Sequence, residues 1–270
     1  MYSHSIQELC YYLEELAPLS TQESYDNSGL LIGRLDDTIT GILTCLDCTE
    51  SVIEEAINLD VNTIVCHHPI IFSPIKTLTY QNYTQRIIAK ALKNNLNIYA
   101  IHTNLDNYLI EGVNTKIADQ LGLKELESLS PLSGNFDSKV YGSGMIGNLP
   151  APIQTTAFFE LLSEKMQTPL VRHTAIVKDW ITRVAICGGS GSFLFPKAFS
   201  KGADIFVTAD YKYHQFFDAD HKIIIADIGH YESEQFTVEL LHEILSRKFN
   251  NFAVYSTKIN TNPVQYFFKA

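Results

Sequence analysis

Short apolar segments alternate with amphipathic helical segments along most of this 270-residue chain. This alternation is typical of an α/β fold. The strand segments are almost continuously apolar, which indicates sheets covered by helices on both faces. Strands are expected at 30–33, 38–47, 62–66, 97–101, 140–147, 182–187, 204–210, 222–227 and 251–257, and helices at 52–59, 83–95, 113–121, 154–167, 191–201 and 232–248.

One segment interrupts this alternation near the middle of the chain. Residues 127–139 (ESLSPLSGNFDSK) are rich in Ser, Pro, Gly and Asn, a composition typical of a linker or a variable loop. The length of the chain suits one large domain or two modest ones. We therefore expect an N-terminal α/β lobe over 1–126, a linker over 127–139 and a C-terminal α/β lobe over 140–270.

The charge and hydropathy of the chain argue against two classes of partner. The formal net charge is −10 and no run of Lys and Arg occurs, whereas a surface that binds nucleic acid needs many cations to neutralise phosphates. A membrane-spanning helix needs about 20 consecutive apolar residues, and the sequence contains no such stretch. Neither nucleic acid nor a membrane is expected as a partner.

The first 16 residues predict an amphipathic helix rather than a signal peptide. Ser5 and Glu8 have the spacing of a capping box, and Ile6, Leu9 and Leu13 fall on one helical face. A signal peptide would instead begin with a basic region followed by an apolar block. Nothing in this segment therefore argues against a cytoplasmic location.

The cysteines also favour a reducing compartment. The chain has five cysteines, an odd number, and they are scattered, which makes a disulfide framework improbable. Cys45 and Cys48 have the C-x-x-C spacing of thiol redox pairs. They fall in a strand-like run rather than at a helix N-terminus that would stabilise a thiolate. We therefore expect a cytoplasmic protein in which this pair has no redox or zinc-binding role.

Three segments place imidazoles or carboxylates directly after an apolar strand: CHHP, IHTNLD and IADIGHYESE. In open α/β sheets, ligands bind beyond the carboxyl ends of the strands. Imidazole and carboxylate ligands without a thiolate suit Zn, Mn, Fe or Co. The segments together predict a metal site whose candidate ligands are His67, His68, Asp106, His230 and Glu234.

Each segment also fits a purely structural interpretation. His67 and His68 can be capping or surface residues, and Asp106 can bond to the backbone of its own turn. Glu234 can be an ordinary acid in the first turn of a helix. If His67 and His68 do bind metal, their neighbouring side chains point to opposite sides of an extended strand, so each would serve a different ion.

Two further segments are less specific. The glycine-rich run Cys187–Ser192 joins a predicted strand to a predicted helix, so its amides could hold an anion or form a close-packed turn. It lacks the lysine of a phosphate-binding P-loop. Asp210 and His214 follow another strand; they could support the site or contact a substrate, and a structural hydrogen-bonding role fits equally well.

These motifs resemble those of the Nif-three-like proteins, also called GTP cyclohydrolase 1 type 2 homologs. The resemblance covers nearly the whole chain and is carried, in order, by DNSGLLIG, CHHPIIF, HTNLD, GSGMIG, CGGSGS, VTADYKYH and IADIGHYESEQ. It implies two α/β lobes with mixed sheets, and a dinuclear site of divalent metal ions at the strand ends between the lobes.

The resemblance also implies roles for individual residues. It assigns metal ligation to His67, His68, Asp106, His230 and Glu234, with Glu234 contacting both ions. His102 lies near the site without being a firm ligand.

The resemblance further implies a homo-oligomer, a hexameric ring whose sites face an inner cavity. Some relatives carry a PII-like domain between the two lobes, where this chain has only the short stretch 127–139.

Two classes of function follow. The first is a metal-dependent hydrolase that acts on GTP, another nucleotide or a similar small metabolite, because two close ions can activate water and polarise a carbonyl or phosphoryl group. The second is a non-enzymatic metal-binding scaffold or regulatory protein. The sequence does not identify a guanine pocket or choose between the two.

Overall fold

The computed structural model describes residues 3–134, 136–137 and 140–267. The helices are α1 (Ile6–Leu16), α2 (Glu50–Asn58), α3 (Tyr83–Lys93), α4 (Thr103–Asp106), α5 (Val113–Gln120), α6 (Thr155–Lys165), α7 (Phe195–Ser200), α8 (His230–Glu234) and α9 (Thr237–Lys248). The strands are β1 (Gly29–Ile32), β2 (Gly41–Asp47), β3 (Thr63–His68), β4 (Asn97–Ala100), β5 (Lys124–Pro131), β6 (Gly142–Gln154), β7 (Arg172–His173), β8 (Trp180–Ser190), β9 (Ile205–Ala209), β10 (Ile224–Asp227) and β11 (Ala253–Ser256).

The first helix begins as its sequence predicts. The Ser5 side chain accepts a hydrogen bond from the Glu8 amide, and the Glu8 carboxylate accepts one from the Ser5 amide. This reciprocal pair satisfies two amides that the helix itself leaves without partners. Across the described part of the chain, every helix is too short or too polar to cross a membrane.

The chain forms two compact units. The first unit is built from the chain up to Leu105 together with Thr237–Pro263, and the second from Asp106–Phe236 with the tail that starts at Val264. The composition of the sequence suggests a single boundary at 127–139, but the compact units follow a different division. The chain leaves the first unit after Leu105 and returns to it for α9 and β11.

The first unit contains a five-stranded sheet in the order β1-β4-β3-β2-β11. Strands β4, β3, β2 and β11 are parallel, and β1 pairs with β4 in the antiparallel direction. Parallel neighbours direct their carboxyl ends to the same edge of the sheet. The sequence after β2, β3 and β4 therefore meets at one edge.

Helices cover both faces of this sheet. Leu43 and Cys45 of β2 pack with Val52 and Ile53 of α2 in a cluster that also includes residues of α3. The intervening residue Thr44 donates from its hydroxyl to the Val238 carbonyl of α9, on the opposite face. Two covered faces explain why the strands read as continuous apolar runs.

The second unit contains a six-stranded sheet in the order β5-β6-β8-β9-β10-β7. Its central strands β8, β9 and β10 are parallel, and the outer pairings are antiparallel. The predicted α/β class with mixed sheets is therefore confirmed. Phe206 and Ile225 pack beneath Phe195 and Ala198 of α7 in the core of this unit.

The expected linker 127–139 is wrong over its first part. Residues up to Pro131 belong to β5, which pairs with β6 through Ser128↔Met145 and Ser130↔Ser143. Leu129 is buried in the core, so a polar composition concealed a strand at the edge of the sheet. Residues 135, 138 and 139 of the expected linker lie outside the described residues.

All five cysteines lie within the described residues, and all are free and buried. Cys45 belongs to β2, whereas Cys48 follows the strand and precedes α2. Burial, with a smaller contribution from the nearby Asp47 carboxylate, raises the pKa of the Cys48 thiol to about 12. A thiol with a raised pKa is a poor nucleophile and a poor metal ligand at neutral pH, which supports the structural interpretation of the C-x-x-C pair.

Candidate metal centre

In the first unit, polar side chains follow three adjacent parallel strands. Asp47 ends β2, His67 and His68 end β3, and His102 follows β4 by two residues. Asp47 and His68 are partners in the register of β2 and β3. Parallel pairing therefore brings these residues to one edge of the sheet, where ligands of open α/β sheets bind.

The three imidazoles at this edge form a compact cluster. The possible ligand nitrogens of His67, His68 and His102 all lie within 4.8 Å of one another. Their ring centroids are separated by 4.9 Å for His67–His68, 5.2 Å for His67–His102 and 5.3 Å for His68–His102. The rings of the two adjacent histidines thus diverge less than simple strand alternation predicts. His102 lies in the same group of possible ligands as His67 and His68, although the resemblance does not make it a firm ligand.

A hydrogen bond at Nδ1 orients each of these rings. His67 Nδ1 donates to the Ile101 carbonyl at 2.8 Å, His68 Nδ1 to Asp47 Oδ1 at 2.7 Å, and His102 Nδ1 to Asp26 Oδ1 at 2.8 Å. Carbonyl and carboxylate oxygens only accept hydrogen bonds, so the proton of each neutral ring lies on Nδ1. Nε2 is then the lone-pair nitrogen of each ring, the arrangement typical of histidines that bind metal.

Asp26 is the most heavily bonded of these acceptors. Its buried side chain also accepts hydrogen bonds from the Thr103 amide at 3.0 Å, from the Thr103 hydroxyl and from the Ser28 hydroxyl at 3.1 Å. Burial alone would raise the pKa of Asp26, but the bonds from His102 and Thr103 outweigh it and hold this pKa well below its ordinary value. The carboxylate therefore stays ionised and fixes the His102 ring.

The second unit carries its own imidazole–carboxylate pair. Helix α8 begins at His230 after Gly229, and His230 Nε2 lies 3.0 Å from Glu234 Oε2, one turn further along. His230 Nδ1 donates to Asp210 Oδ2 at 2.7 Å. Burial alone would lower the pKa of His230, but Glu234 and Asp210 raise it to about 11. This raised pKa shows how strongly the two carboxylates favour a positive charge at this position, which a metal cation would supply.

Two glycines near the end of β8 lie against Glu234. Gly189 has a φ of +59°, and a Cβ added there would lie 2.3 Å from Glu234 Oε1. The Gly188 amide donates to Asn114 Oδ1 at 3.0 Å and the Gly189 amide to Ser233 Oγ at 2.9 Å. Because these two amides already donate within the protein, the glycine-rich run fits the close-packed alternative better than an anion-binding role.

Asn114 connects Gly188 to Asp106, the remaining ligand predicted from the sequence. Its amide Nδ2 donates to the Asp106 carbonyl at 3.0 Å, while its Oδ1 accepts from Gly188. Asn114 is almost fully buried at the start of α5. The Asn114 side chain thus fixes both the backbone of Asp106 and the end of β8 that contacts Glu234.

The roles of Asp210 and His214, which the sequence left open, differ in the structure. Asp210 supports His230, as described above, whereas the His214 ring contacts the rings of Tyr213 and Phe217 instead. Glu232, two residues before Glu234, accepts a hydrogen bond from the Tyr266 hydroxyl at 3.2 Å. Within α8, Glu234 therefore forms the carboxylate partner of His230, whereas Glu232 contacts Tyr266.

Two residues of the site were missed by the sequence argument. Asp47 ends an apolar strand, so the rule that selected the histidines would also have selected it. Asp26 lies in the turn DNSG, where the local sequence indicates only a turn-forming role for the side chain. Its partner His102 is 76 residues away, so only the tertiary fold reveals the pair.

The profile of the Duf34/NIF3 (NGG1p interacting factor 3) family matches residues 4–263. Because the match covers nearly the whole chain, this protein belongs to that family. Among curated proteins, it is 31% identical to a GTP cyclohydrolase 1 type 2 homolog of Staphylococcus epidermidis, over 97% of this chain and 99% of the relative. It is also 31% identical to the protein of that name in Clostridium acetobutylicum, over 96% and 94% of the two chains.

Solved structures share the fold. A Staphylococcus aureus protein is 34% identical with a TM-score of 0.89, over 98% of this chain and 99% of that one. A Bacillus cereus protein related to NIF3 has the same TM-score at 24% identity, over 99% and 100% of the two chains. The alignment with the Staphylococcus epidermidis relative extends over 365 positions, more than the 270 residues of this chain, so that relative has residues that this chain lacks.

Proposed function

We propose that this protein is a divalent-metal-dependent hydrolase that acts on a nucleotide or a similar small metabolite. His67, His68, Asp106, His230 and Glu234 would hold two ions per chain, of Zn, Mn, Fe or Co, and Glu234 would serve both. The names of the curated relatives, GTP cyclohydrolase 1 type 2 homolog, support a nucleotide substrate.

The observation that carries this proposal is the shared orientation of four imidazoles. His67, His68, His102 and His230 each donate from Nδ1 to an oxygen of the protein at 2.7–2.8 Å. Such bonds fix the tautomer and the orientation of each ring. They are the usual support of imidazoles that bind metal through Nε2, so the donor set fits a divalent ion.

Each residue then has a specific part in the chemistry. Divalent ions supply Lewis-acid activation of water and of a carbonyl or phosphoryl group. Asp47, Asp26 and Asp210 hold the imidazole rings and keep the Nδ1 protons in place. Gly189 leaves room for the Glu234 carboxylate, because it has no Cβ. Because these groups are fixed before the substrate binds, little reorganisation accompanies the reaction.

The test combines metal analysis with a substrate panel. The protein is stripped with EDTA, reloaded separately with Zn, Mn, Fe(II) or Co, and its metal content is measured. Hydrolysis of nucleotides, phosphoesters and amides is then measured for the wild type, for Glu234→Ala and for His242→Ala. His242 is the control, because its ring contacts the Val254 carbonyl in another part of the first unit.

We expect metal-dependent turnover of at least one substrate by the wild type and His242→Ala, and loss of both metal and turnover in Glu234→Ala. Failure to bind any of the four metals would contradict the proposed site. Full metal loading without turnover across the panel would contradict the hydrolase assignment and favour a metal-binding scaffold.

A further inference from the structure

A cavity of about 480 Å³ lies in the second unit, beside the edge strand β7. Its walls are β7 with the residues that follow it, and the turn of 3-10 helix Tyr213–Ala219 with the residues up to Ile223. A volume of this size is typical of pockets for small molecules. None of the residues assigned above to the metal ligands lines it.

Aromatic rings dominate one side of this cavity. Tyr213, Phe216 and Phe217 line it, above a floor that includes the buried residues Ala219 and Ile223. Tyr213 is 74% exposed and Phe217 is 67% exposed, so both rings are accessible to a ligand. Exposed aromatic rings beside an apolar floor form a surface on which a flat ring can stack.

A fixed cation lies beside one of these rings. The Arg172 guanidinium forms an ion pair with Asp227, donates to the Tyr211 carbonyl at 3.2 Å and lies 5.5 Å from the centre of the Phe216 ring. Its side chain is nevertheless 51% exposed. A planar guanidinium held in this way keeps donors available for a phosphate or carboxylate.

The cation also identifies the end of the cavity that approaches the metal ligands. Arg172 pairs in register with Asp227, at the carboxyl end of β10, and His230 follows three residues later. Arg172 also donates to the carbonyl of Tyr211, next to Asp210, and Asp210 accepts a hydrogen bond from His230.

We propose that this cavity binds a nucleotide, with the planar base against the exposed ring of Phe217 and the phosphate at Arg172. This inference specifies the substrate class for the proposed hydrolase and rests on that function only for the role of the bound nucleotide. The binding itself requires the second unit and not the metal ions. The apolar floor and the single fixed cation suit one base and one phosphate better than an extended anionic chain.

The experiment measures binding of guanosine 5′-monophosphate and of guanosine to the metal-free full-length protein by isothermal titration calorimetry. Phe217→Ala removes one wall of the cavity. Its matched control is Phe193→Ala, because Phe193 is similarly exposed at 61% but does not line the cavity. Arg172→Gln removes the cation, and thermal unfolding verifies that each variant is folded.

We expect the wild type to bind the monophosphate more tightly than guanosine. Phe217→Ala should weaken both ligands by about tenfold, the range expected for loss of one stacking ring, and Phe193→Ala should weaken neither. Arg172→Gln should remove the preference for the monophosphate. If Arg172→Gln unfolds, the wild-type preference and its loss at raised salt concentration test the same point.

The proposal is overturned if the metal-free protein does not bind the monophosphate at millimolar concentration, or if the two phenylalanine variants behave alike. These outcomes are independent of the metal analysis described above. A protein that binds two metals but no nucleotide would refute the cavity and retain the metal centre. Nucleotide binding without any metal binding would do the reverse.

Discussion

His68 Nδ1 donates a 2.7 Å hydrogen bond to Asp47 Oδ1, and the two residues lie side by side at the ends of neighbouring strands. We expect Asp47→Asn to lower the affinity for metal by about 10–100-fold, as is usual when the partner of a metal-binding histidine is changed. Titration of the apoprotein with zinc measures this effect. Asp36→Asn is the control, because Asp36 is an exposed partner of Arg34; equal affinity in the two variants would contradict the role of Asp47.

The two ions should respond differently to loss of individual ligands. Glu234→Ala should reduce binding of both ions, whereas His67→Ala and His68→Ala should each affect mainly one. Glu232→Gln, in the same helix, should leave the metal content unchanged because that carboxylate faces Tyr266. Metal titration followed by elemental analysis separates the ions. Equal loss of both ions in all three ligand variants would argue against this division.

The close contact between Gly189 and Glu234 can be tested against a control glycine in the same unit. Gly189 and Gly202 both have positive φ, +59° and +73°, but an added Cβ would clash with Glu234 only at Gly189 and would meet nothing within 4 Å at Gly202. Both alanine substitutions should destabilise folding by about 1–2 kcal/mol through the backbone conformation. Only Gly189→Ala should also lose metal. Thermal unfolding and metal analysis test this, and full metal content in Gly189→Ala would refute the steric role.

Asp26 predicts a defined pH dependence of stability. Its pKa is lower in the folded protein than the ordinary value near 3.9, so the unfolded chain takes up the proton first. Its contribution is therefore fully present above about pH 4 and is lost as the pH falls below that value.

The variant Asp26→Asn should make this contribution measurable. We expect it to lower the free energy of unfolding by about 2 kcal/mol at pH 6, the usual contribution of hydrogen bonds to a charged group. The difference from the wild type should shrink below pH 4. Urea unfolding of the metal-free protein at several pH values measures it, and a difference that is constant from pH 6 to pH 3 would exclude the carboxylate as its source.

We also expect a homohexamer in solution, as the family resemblance implies. The structure adds that Phe267 is 92% exposed, while Tyr266 beside it is held by Glu232; Phe268 lies outside the described residues. An exposed aromatic ring is typical of an interface. Light scattering at micromolar concentration should give about six chain masses. A mass near that of one chain would refute the expectation.

Much of the fold was predictable because strand and helix periods are local. The strands around Cys66 and Ile225 and the capped start of α1 lie where the sequence predicts them. The predicted helix 232–248 is in fact two helices, α8 and α9, with a break at residues 235–236. A break between two helical segments of similar polarity leaves little trace in the hydrophobic period.

The partners within the site were less predictable than the ligand candidates. His67, His68 and His230 stand out because each follows an apolar strand. Asp26 and Asn114 do not, since both act through residues or loops that are distant along the chain. Pairing of that kind is decided by tertiary packing, which a single sequence does not display.

The return of α9 and β11 to the first unit has a consequence for synthesis on the ribosome. The first sheet lacks its β11 edge until residues 253–256 have been made, because that strand pairs with β2 more than 200 residues earlier. The second unit is nearly continuous in sequence and is almost complete by Phe236. Synthesis from the N-terminus therefore favours folding of the second unit before β2 can pair with β11. A chaperone that shields nascent apolar strands would act mainly on the first unit.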